Sequence, residues 1–313
     1  MKKLHFNYKE SVKLKKLKTA IINELGNLFY IKFHNYSKAA EFYEIAASRG
    51  NANSQNCLAM LYYKGLGVEQ DYEKAVELFR KAAEQGYSVA EDNLGDMYIT
   101  GKGVEKDYEM AIKLITKAAV KGNTNAQNHL GEIYFYGEIV DKDYKKAAEW
   151  FEKAAFQGNV KAQFEIGSLY CRGLGVKQDY TKGIEWIRKS AEKGFTCAET
   201  YLGELYQEGE LTEQNFEKAV KWFKKAARKG DLQAAYHLGH KYIEGRGTKQ
   251  DYAKAMECFK IAAQKGHIAA NNIIGSLYEG GLGVKQSYSE ALKWYKKIEE
   301  ISRKKTLCFF YTY

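Results

Sequence analysis

Residues Asn159 to Gly194 read NVKAQFEIGSLYCRGLGVKQDYTKGIEWIRKSAEKG, and the rest of the chain repeats this skeleton with other residues between the fixed positions. The clearest marker is the closing glycine, which recurs every 36 residues at seven places. A fixed period in the range of roughly 20 to 50 residues is typical of stacked supersecondary units. The chain is therefore predicted to be an array, and its function is to be sought on an extended surface. The period glycines are Gly50, Gly86, Gly122, Gly158, Gly194, Gly230 and Gly266.

Each unit is predicted to contain two α-helices joined by a tight turn. In the quoted unit Ala162, Ile166, Leu169 and Tyr170 follow helical spacing and lie on one face of a first helix. A Gly-x-Gly-Val turn ends this helix in most copies, because two glycines allow positive φ angles. An aspartate just before the second helix is predicted to be its N-cap, and the period glycine its C′ residue. The predicted N-caps are Asp71, Asp107, Asp143, Asp179 and Asp251.

Two further features recur inside the helices. A glycine inside six of the first helices costs roughly 0.8 to 1 kcal/mol relative to alanine, so we expect it to make room for a large side chain, most often an aromatic one. Tryptophans share one register of the second helix with Leu78, Leu114 and Cys258, and this apolar substitution predicts packing between repeats. The tryptophans are Trp150, Trp186, Trp222 and Trp294, and the internal glycines are Gly95, Gly131, Gly167, Gly203, Gly239 and Gly275.

These motifs resemble the Sel1-like repeat, a relative of the tetratricopeptide repeat. The Leu-Gly-x-x-Tyr core of that repeat stands here as Leu94-Gly95-Asp96-Met97-Tyr98, and the wider pattern recurs across residues 51–300. The resemblance implies an all-α fold, a right-handed α-solenoid of stacked antiparallel helix pairs with 36-residue repeats. It also implies a non-enzymatic scaffold or adaptor that binds a protein or peptide along the concave face of the array.

The sequence divides into three segments. Residues 1–19 are predicted to form a basic N-terminal cap helix, because Asn7 to Leu14 resembles a second helix without its first partner. Residues 20–300 form the array, with one short first repeat and seven full ones. Residues 301–313 form an atypical tail, and its last seven residues, 307–313, are apolar and leave the helical pattern of the repeats. We expect the tail to fold back over the last helix pair, and docking on a partner or a sequence-end artefact are the alternatives.

Charge and composition indicate which classes of partner and which compartment to expect. The net charge is +10, but residues 1–19 hold seven lysines against one glutamate, and no Lys/Arg stripe runs along the array. Nucleic acid is therefore not an expected partner. No stretch approaches the roughly 18 apolar residues that span a bilayer, and the N-terminus lacks the apolar core of a secretory signal. The five scattered cysteines indicate free thiols. We expect a cytoplasmic protein, and a lost upstream export signal is the alternative.

Few residues could carry chemistry. His237, His240 and Glu244 have a spacing that could suit a metal, but the equivalents of His237 in other repeats vary widely, as expected of a solvent or partner face. The Gly-x-Gly turns precede helices as phosphate-binding loops do, yet those helix N-termini already have their own aspartate. The alternating carboxylates of a calcium loop are missing. We therefore predict no catalytic residue, no metal site and no cofactor.

Partner-binding residues are predicted on the first helices, which line the concave wall in tetratricopeptide-like stacks. The positions three residues before and one after each internal glycine share one face and vary between repeats. Phe164 and Tyr236 suit apolar anchors of an extended or helical peptide, while Asp96, Glu132 and Glu204 suit its polar or basic groups. A merely solvated wall is the alternative. The candidates are Asp92, Asp96, Asn128, Glu132, Phe164, Ser168, Thr200, Glu204, Tyr236 and His240, followed by Asn272 and Ser276.

Three functions stay open at this point. The first is a cytoplasmic interaction scaffold or adaptor, for which resemblance to bacterial members allows a regulator of signalling or a toxin-immunity protein. The second is a secreted host-interaction (virulence) factor of the same fold. The third is an enzyme such as a hydrolase, which would need a convergent reactive site that the sequence does not provide.

Overall fold

The computed structural model describes residues 18–209, 212–264 and 266–310, with side chains as far as Glu300. The predicted cap of residues 1–19 lies almost entirely outside this part of the chain. Sixteen α-helices and no β-strand make up the described ranges. The helices are α1 (18–31), α2 (Tyr36–Ser48), α3 (Ala52–Lys64), α4 (Tyr72–Glu84), α5 (Ser88–Thr100), α6 (Tyr108–Val120), α7 (Thr124–Tyr136), α8 (Tyr144–Phe156), α9 (Val160–Arg172), α10 (Tyr180–Glu192), α11 (Thr196–Glu208), α12 (Phe216–Arg228), α13 (Leu232–Glu244), α14 (Tyr252–Gln264), α15 (Ile268–Gly280) and α16 (Tyr288–Phe310).

Odd-numbered helices are the first helices of the repeats and even-numbered helices the second. The two helices of a repeat pack together, as α3 does with α4 and α13 with α14, and the second helix can also contact the first helix of the next repeat, as α4 does with α5 and α12 with α13. The predicted all-α solenoid of paired helices is confirmed. The chain divides into two compact units, residues 1–162 and residues 163–313, and each is described by itself below.

Polar caps begin the second helices as predicted. The side chain of Asp71 accepts a hydrogen bond from the backbone N–H of Lys74 at 2.9 Å, and the other four predicted aspartates do the same three residues along. Three repeats lack the aspartate, and there Asn35, Asn215 and Ser287 accept the equivalent bond. These bonds satisfy amide groups that a helix N-terminus leaves without a partner.

The internal glycines make room for large side chains. A Cβ atom on Gly203 would lie 2.5 Å from the ring of Phe223, and one on Gly131 would lie 2.4 Å from the ring of Phe151. Both phenylalanines are fully buried. The expected aromatic neighbour is also present at Gly239 and Gly275, but an isoleucine takes its place at Gly95 and Gly167.

The tryptophans are less buried than expected. Only Trp186 is buried, whereas Trp150, Trp222 and Trp294 are half-buried at the edge of the core. In each case the lysine three residues later lies over the indole ring, 4.1 Å from its centroid to Lys153 Nζ at Trp150. The prediction of inter-repeat packing therefore holds in part, because these rings also serve as cation-π surfaces.

The end of the chain differs from the expectation for the tail. Helix α16 continues without interruption to Phe310, so the change in hydrophobic pattern after residue 300 is not a break in the helix. Elsewhere, no disulfide links the cysteines whose side chains are described. No helix within the described ranges has both the length and the apolar character needed to cross a bilayer.

Candidate functional site

The candidate residues share one face of the first helices, which we call the first-helix face. It consists of the positions three residues before and one residue after the internal glycine. Among the ten main candidates, Asn128 and Thr200 are buried and the other eight are half-buried. Asn272 and Ser276, in the last repeat, are exposed. The face is thus partly covered by its own neighbours.

In the unit of residues 1–162, the face carries an acidic cluster, which we define as Asp92, Asp96 and Glu132. Asp92 lies 3.1 Å from Nδ1 of His129, and Glu132 lies 2.7 Å from Nζ of Lys161 while also accepting a hydrogen bond from the amide of Asn128. Asp96 makes no side-chain hydrogen bond or salt bridge within the described residues.

The carboxylates converge on His129. Burial opposes the charged imidazolium, but the hydrogen bond and charge of Asp92, together with the charges of Asp96 and Glu132, raise the pKa of His129 above its ordinary value. A histidine with a raised pKa among three acids indicates a site of negative potential. Such a site favours cationic groups of a ligand.

In the unit of residues 163–313, the same face is aromatic. The ring of Phe164 lies 5.7 Å from that of Phe195 and 6.0 Å from that of Tyr201. Tyr236 stacks on His267 with ring centroids 4.4 Å apart and meets His240 edge-on at 4.7 Å. The two expected apolar anchors therefore already pack against aromatic neighbours, and both side chains are half-buried.

The remaining candidates have smaller roles. The Thr200 hydroxyl donates to the backbone carbonyl of Thr196, one turn earlier in the same helix. Glu204 lies 3.3 Å from Nε2 of His237. Ser168 is half-buried, with no side-chain partner among the described residues.

One set of contacts was not anticipated from the repeat pattern. Asn93 donates to Asn56 at 2.9 Å, Asp92 meets His129, and Phe164 meets Tyr201, each pair being 37 residues apart. The later residue of each pair stands at the variable position that we interpreted as a solvent or partner face. Comparing residue i with residue i+37 would have revealed this ladder, because complementary residues then stand opposite each other.

The histidines and the glutamate considered for a metal do not form a metal-binding group in the part of the chain that the structure describes. His237 pairs with Glu204, Glu244 lies 2.8 Å from Nζ of Lys241, and the ring of His240 packs against Tyr236. These side chains do not converge, and no group of three His, Cys, Asp or Glu side chains is placed to hold a metal among the described residues.

Comparisons with known proteins agree with this architecture. A family model for the Sel1 repeat matches eight consecutive segments of the chain. The matched segments are residues 24–51, 52–87, 88–123, 124–159, 160–195, 198–231, 232–267 and 268–298. No curated protein matches the chain.

Two solved structures are similar over most of this chain. A protective antigen from uropathogenic Escherichia coli, displaying an SLR fold, aligns with a TM-score of 0.77 and 36% identity over 83% of this chain. The chain spans only 56% of that antigen. A Sel1 repeat protein from Oxalobacter formigenes aligns with a TM-score of 0.68 and 28% identity, over 94% of this chain and 86% of that one. With eight matched repeats over most of its length, this chain belongs to the Sel1 repeat family.

Proposed function

We propose that this protein is a non-enzymatic scaffold or adaptor that holds a protein or peptide partner on its first-helix face. The observation that carries the proposal is Asp96, a half-buried carboxylate on that face with no ion pair among the described residues. Its neighbours Asp92 and Glu132 already have partners, so Asp96 is the acid best placed to accept a cation from outside.

The chemistry of the face favours a partner with basic side chains. An ammonium or guanidinium group beside Asp96 would make a charge-assisted hydrogen bond, which is about twice as strong as a neutral one. Repeat proteins spread their binding groups over successive modules, so one such contact contributes only part of the affinity. Orientation of the partner would come from the other positions of the face.

A charge reversal tests this proposal. Asp96→Lys is preferable to changes at Glu132 or Glu204, because those two carboxylates have intramolecular partners whose loss would disturb the repeat itself. A partner is first isolated from native lysate and purified, and its affinity for each variant is then titrated. We expect Asp96→Lys to weaken binding about tenfold, which corresponds to about 1.4 kcal/mol.

The matched control is Glu149→Lys on the second helix α8, where the side chain is exposed and away from the face. It makes the same change of charge and should leave the affinity unaltered. Equal weakening by both variants would indicate a general effect of net charge. Unaltered binding by Asp96→Lys would remove the first-helix face from the proposal.

Likeness to the protective antigen favours a second candidate, an exported factor of the same fold that meets a host. We place this protein in the cytoplasm on its cysteine pattern, and cell fractionation separates the two. Immunoblots of cytoplasm, periplasm and medium should find the protein in the first fraction only. Recovery from the medium of intact cells would favour the exported factor.

A further inference from the structure

An open groove lies on the first-helix face at its N-terminal end, in the unit of residues 1–162. Its volume is about 270 Å³, and its walls are mainly apolar. Ile31, at its mouth, is 69% exposed, although isoleucine is among the residues most often buried. The lining includes Tyr30 and Ile31 from α1, Tyr43 from α2, and Asn56, Cys57 and Met60 from α3.

The floor of the groove is fixed by internal contacts. The hydroxyl of Tyr43 donates to the side-chain oxygen of Asn27 at 2.8 Å, and Asn56 accepts a hydrogen bond from Asn93. Two amide side chains therefore stand at the edge of an apolar floor. Such an arrangement suits an apolar side chain on the floor, with the ligand's peptide groups at the amides.

The first helices α1 and α3 line the groove, and the next two first helices, α5 and α7, carry the acidic cluster. Asn56 and Met60 stand where the next repeat has Asp92 and Asp96, because each pair is related by the 36-residue period. The ladder of Asn56–Asn93 and Asp92–His129 hydrogen bonds joins these positions into one continuous row. Along this row the chemistry changes from apolar to acidic within a single compact unit.

We propose that the groove binds an apolar side chain of an extended peptide whose basic residues lie in the acidic cluster. This inference rests on the proposed function and names the chemistry of the partner. Charge complementarity supports it, since among the described residues His129 pairs with Asp92 and Lys161 with Glu132, while Asp96 has no ion pair. The side-chain oxygen of Asn128 is also buried there without a hydrogen-bond partner in the described part of the chain, so the cluster has an acceptor still unsatisfied.

Geometry sets the spacing of the peptide's two features. Packed helices lie about 10 Å apart, so the centre of the groove, between α1 and α3, and the centre of the cluster, between α5 and α7, are separated by about 20 Å. An extended peptide rises about 3.3 Å per residue, and the apolar and basic residues should therefore be about six residues apart.

The test uses full-length protein and dye-labelled Gly-Ser peptides that carry one leucine and an arginine pair at a series of separations, in both orders. Fluorescence anisotropy gives the affinity of each peptide. We expect tightest binding at a separation of about six residues, and about tenfold weaker binding when the leucine is replaced by serine. Affinities that do not depend on the leucine would overturn the proposal.

Variants locate the leucine site. Ile31→Asp places a charge at the exposed mouth of the groove and should lower the affinity for leucine-containing peptides about tenfold. Peptides without leucine should bind with unchanged affinity. Ile45→Asp on α2 is the matched control, since Ile45 is also exposed but lies outside the groove. Equal effects of the two aspartates would overturn the groove assignment.

Two outcomes separate this inference from the proposed function. If Asp96→Lys weakens binding of arginine peptides but Ile31→Asp leaves leucine peptides unchanged, the face binds its partner and the groove assignment is wrong. If neither variant changes any affinity, both proposals are wrong. Should Ile31→Asp instead dissociate a dimer in sedimentation experiments without altering peptide affinity, the groove holds a second copy of the chain, and the peptide proposal is overturned.

Discussion

At the residue scale, the packing of most repeats depends on pairs of residues. A glycine in the first helix leaves space, and a large side chain of the second helix fills it. Gly203 has the backbone of an ordinary helical residue, and its value lies in the space that Phe223 occupies. Alanine there would gain up to about 1 kcal/mol in helix propensity. Overpacking a well-filled core typically costs about 1 to 3 kcal/mol, so the steric cost should exceed the gain.

Gly203→Ala is therefore expected to lower the free energy of unfolding by up to about 2 kcal/mol, measured by urea denaturation. Gly280→Ala is the matched control, because that glycine is also helical but a new Cβ would come no closer than 3.4 Å to Leu282. The control should be neutral or slightly stabilising. Stabilisation by both variants would contradict the role given to Phe223.

A second pair of positions holds an ion pair in one repeat and an amide pair in another. Glu199 is buried and lies 2.8 Å from Nζ of Lys229, 30 residues later. The same two positions in another repeat hold Gln127 and Gln157, whose side chains form a hydrogen bond of 2.7 Å. Ion pair and amide pair thus substitute for each other as units.

Lys229→Met should destabilise the protein by about 3 kcal/mol, since it leaves the carboxylate of Glu199 buried without its ion-pair partner. The double variant Glu199→Gln/Lys229→Gln should recover most of the loss, because it rebuilds the amide pair of the other repeat. Comparing the unfolding midpoints of the single and double variants tests whether the two positions act as a pair. A double variant as unstable as the single one would show that the two positions do not act as a pair.

At the element scale, the turn between the two helices is also a packing surface. Gly103 has φ 66°, and a Cβ atom there would lie 2.4 Å from the carbonyl carbon of Tyr72, at the start of the preceding second helix. The second position of Gly-x-Gly-Val thus needs glycine for two reasons: its positive φ angle and this close approach to the backbone. Gly122, with φ 89°, is required for its angle alone, since nothing lies near its missing Cβ.

Gly103→Ala and Gly122→Ala separate the two requirements. Both place alanine in a left-handed conformation, at a cost of about 1 to 2 kcal/mol. Only Gly103→Ala adds a collision with backbone, so its loss of unfolding free energy should exceed that of Gly122→Ala by at least about 1 kcal/mol. Equal losses in urea denaturation would indicate that the turn does not press on the helix start.

Features of the helices were predictable from the sequence where they depend on residues within one repeat. The caps, the helix ends and the space at Gly203 follow from residue types that recur at fixed positions. The contact of Asp92 with His129 does not, because comparison of equivalent positions hides pairs that stand one residue out of register. The lysine above Trp150 was missed for another reason: its ring lies at the edge of the core, and periodicity alone does not distinguish edge from centre.

At the scale of the whole molecule, the two compact units should respond to acid with opposite signs. In the first unit the pKa of His129 is raised, despite its burial, by Asp92, Asp96 and Glu132. In the second, burial lowers the pKa of His240 and of His267, and the charge of His237 lowers both further, while the charge of Glu244 opposes the shift at His240. His267 also caps α15 through Nδ1, which can accept the N–H of Ala270 only when that nitrogen is unprotonated.

The pH windows differ as well as the signs. A raised pKa contributes stability that is complete below the ordinary value of about 6.5 and is lost as the pH rises through the raised value. Acidification from about pH 8 to 6.5 should therefore increase the protection of α7. A lowered pKa contributes stability above about 6.5 that is lost as the pH falls through the lowered value, so α13 and α15 should lose protection between about pH 6.5 and 5.

Hydrogen exchange with mass spectrometry, corrected for the intrinsic exchange rates, reads each unit separately. His129→Gln should abolish the increase in the protection of α7 on acidification. It should leave the loss of protection in α15 unchanged. His267→Asn should reduce this loss, because asparagine caps α7 at Asn123 without titrating. Protection that changes in the same direction in both units, whichever histidine is replaced, would mean that carboxylates and net charge govern the acid response and that these histidines do not.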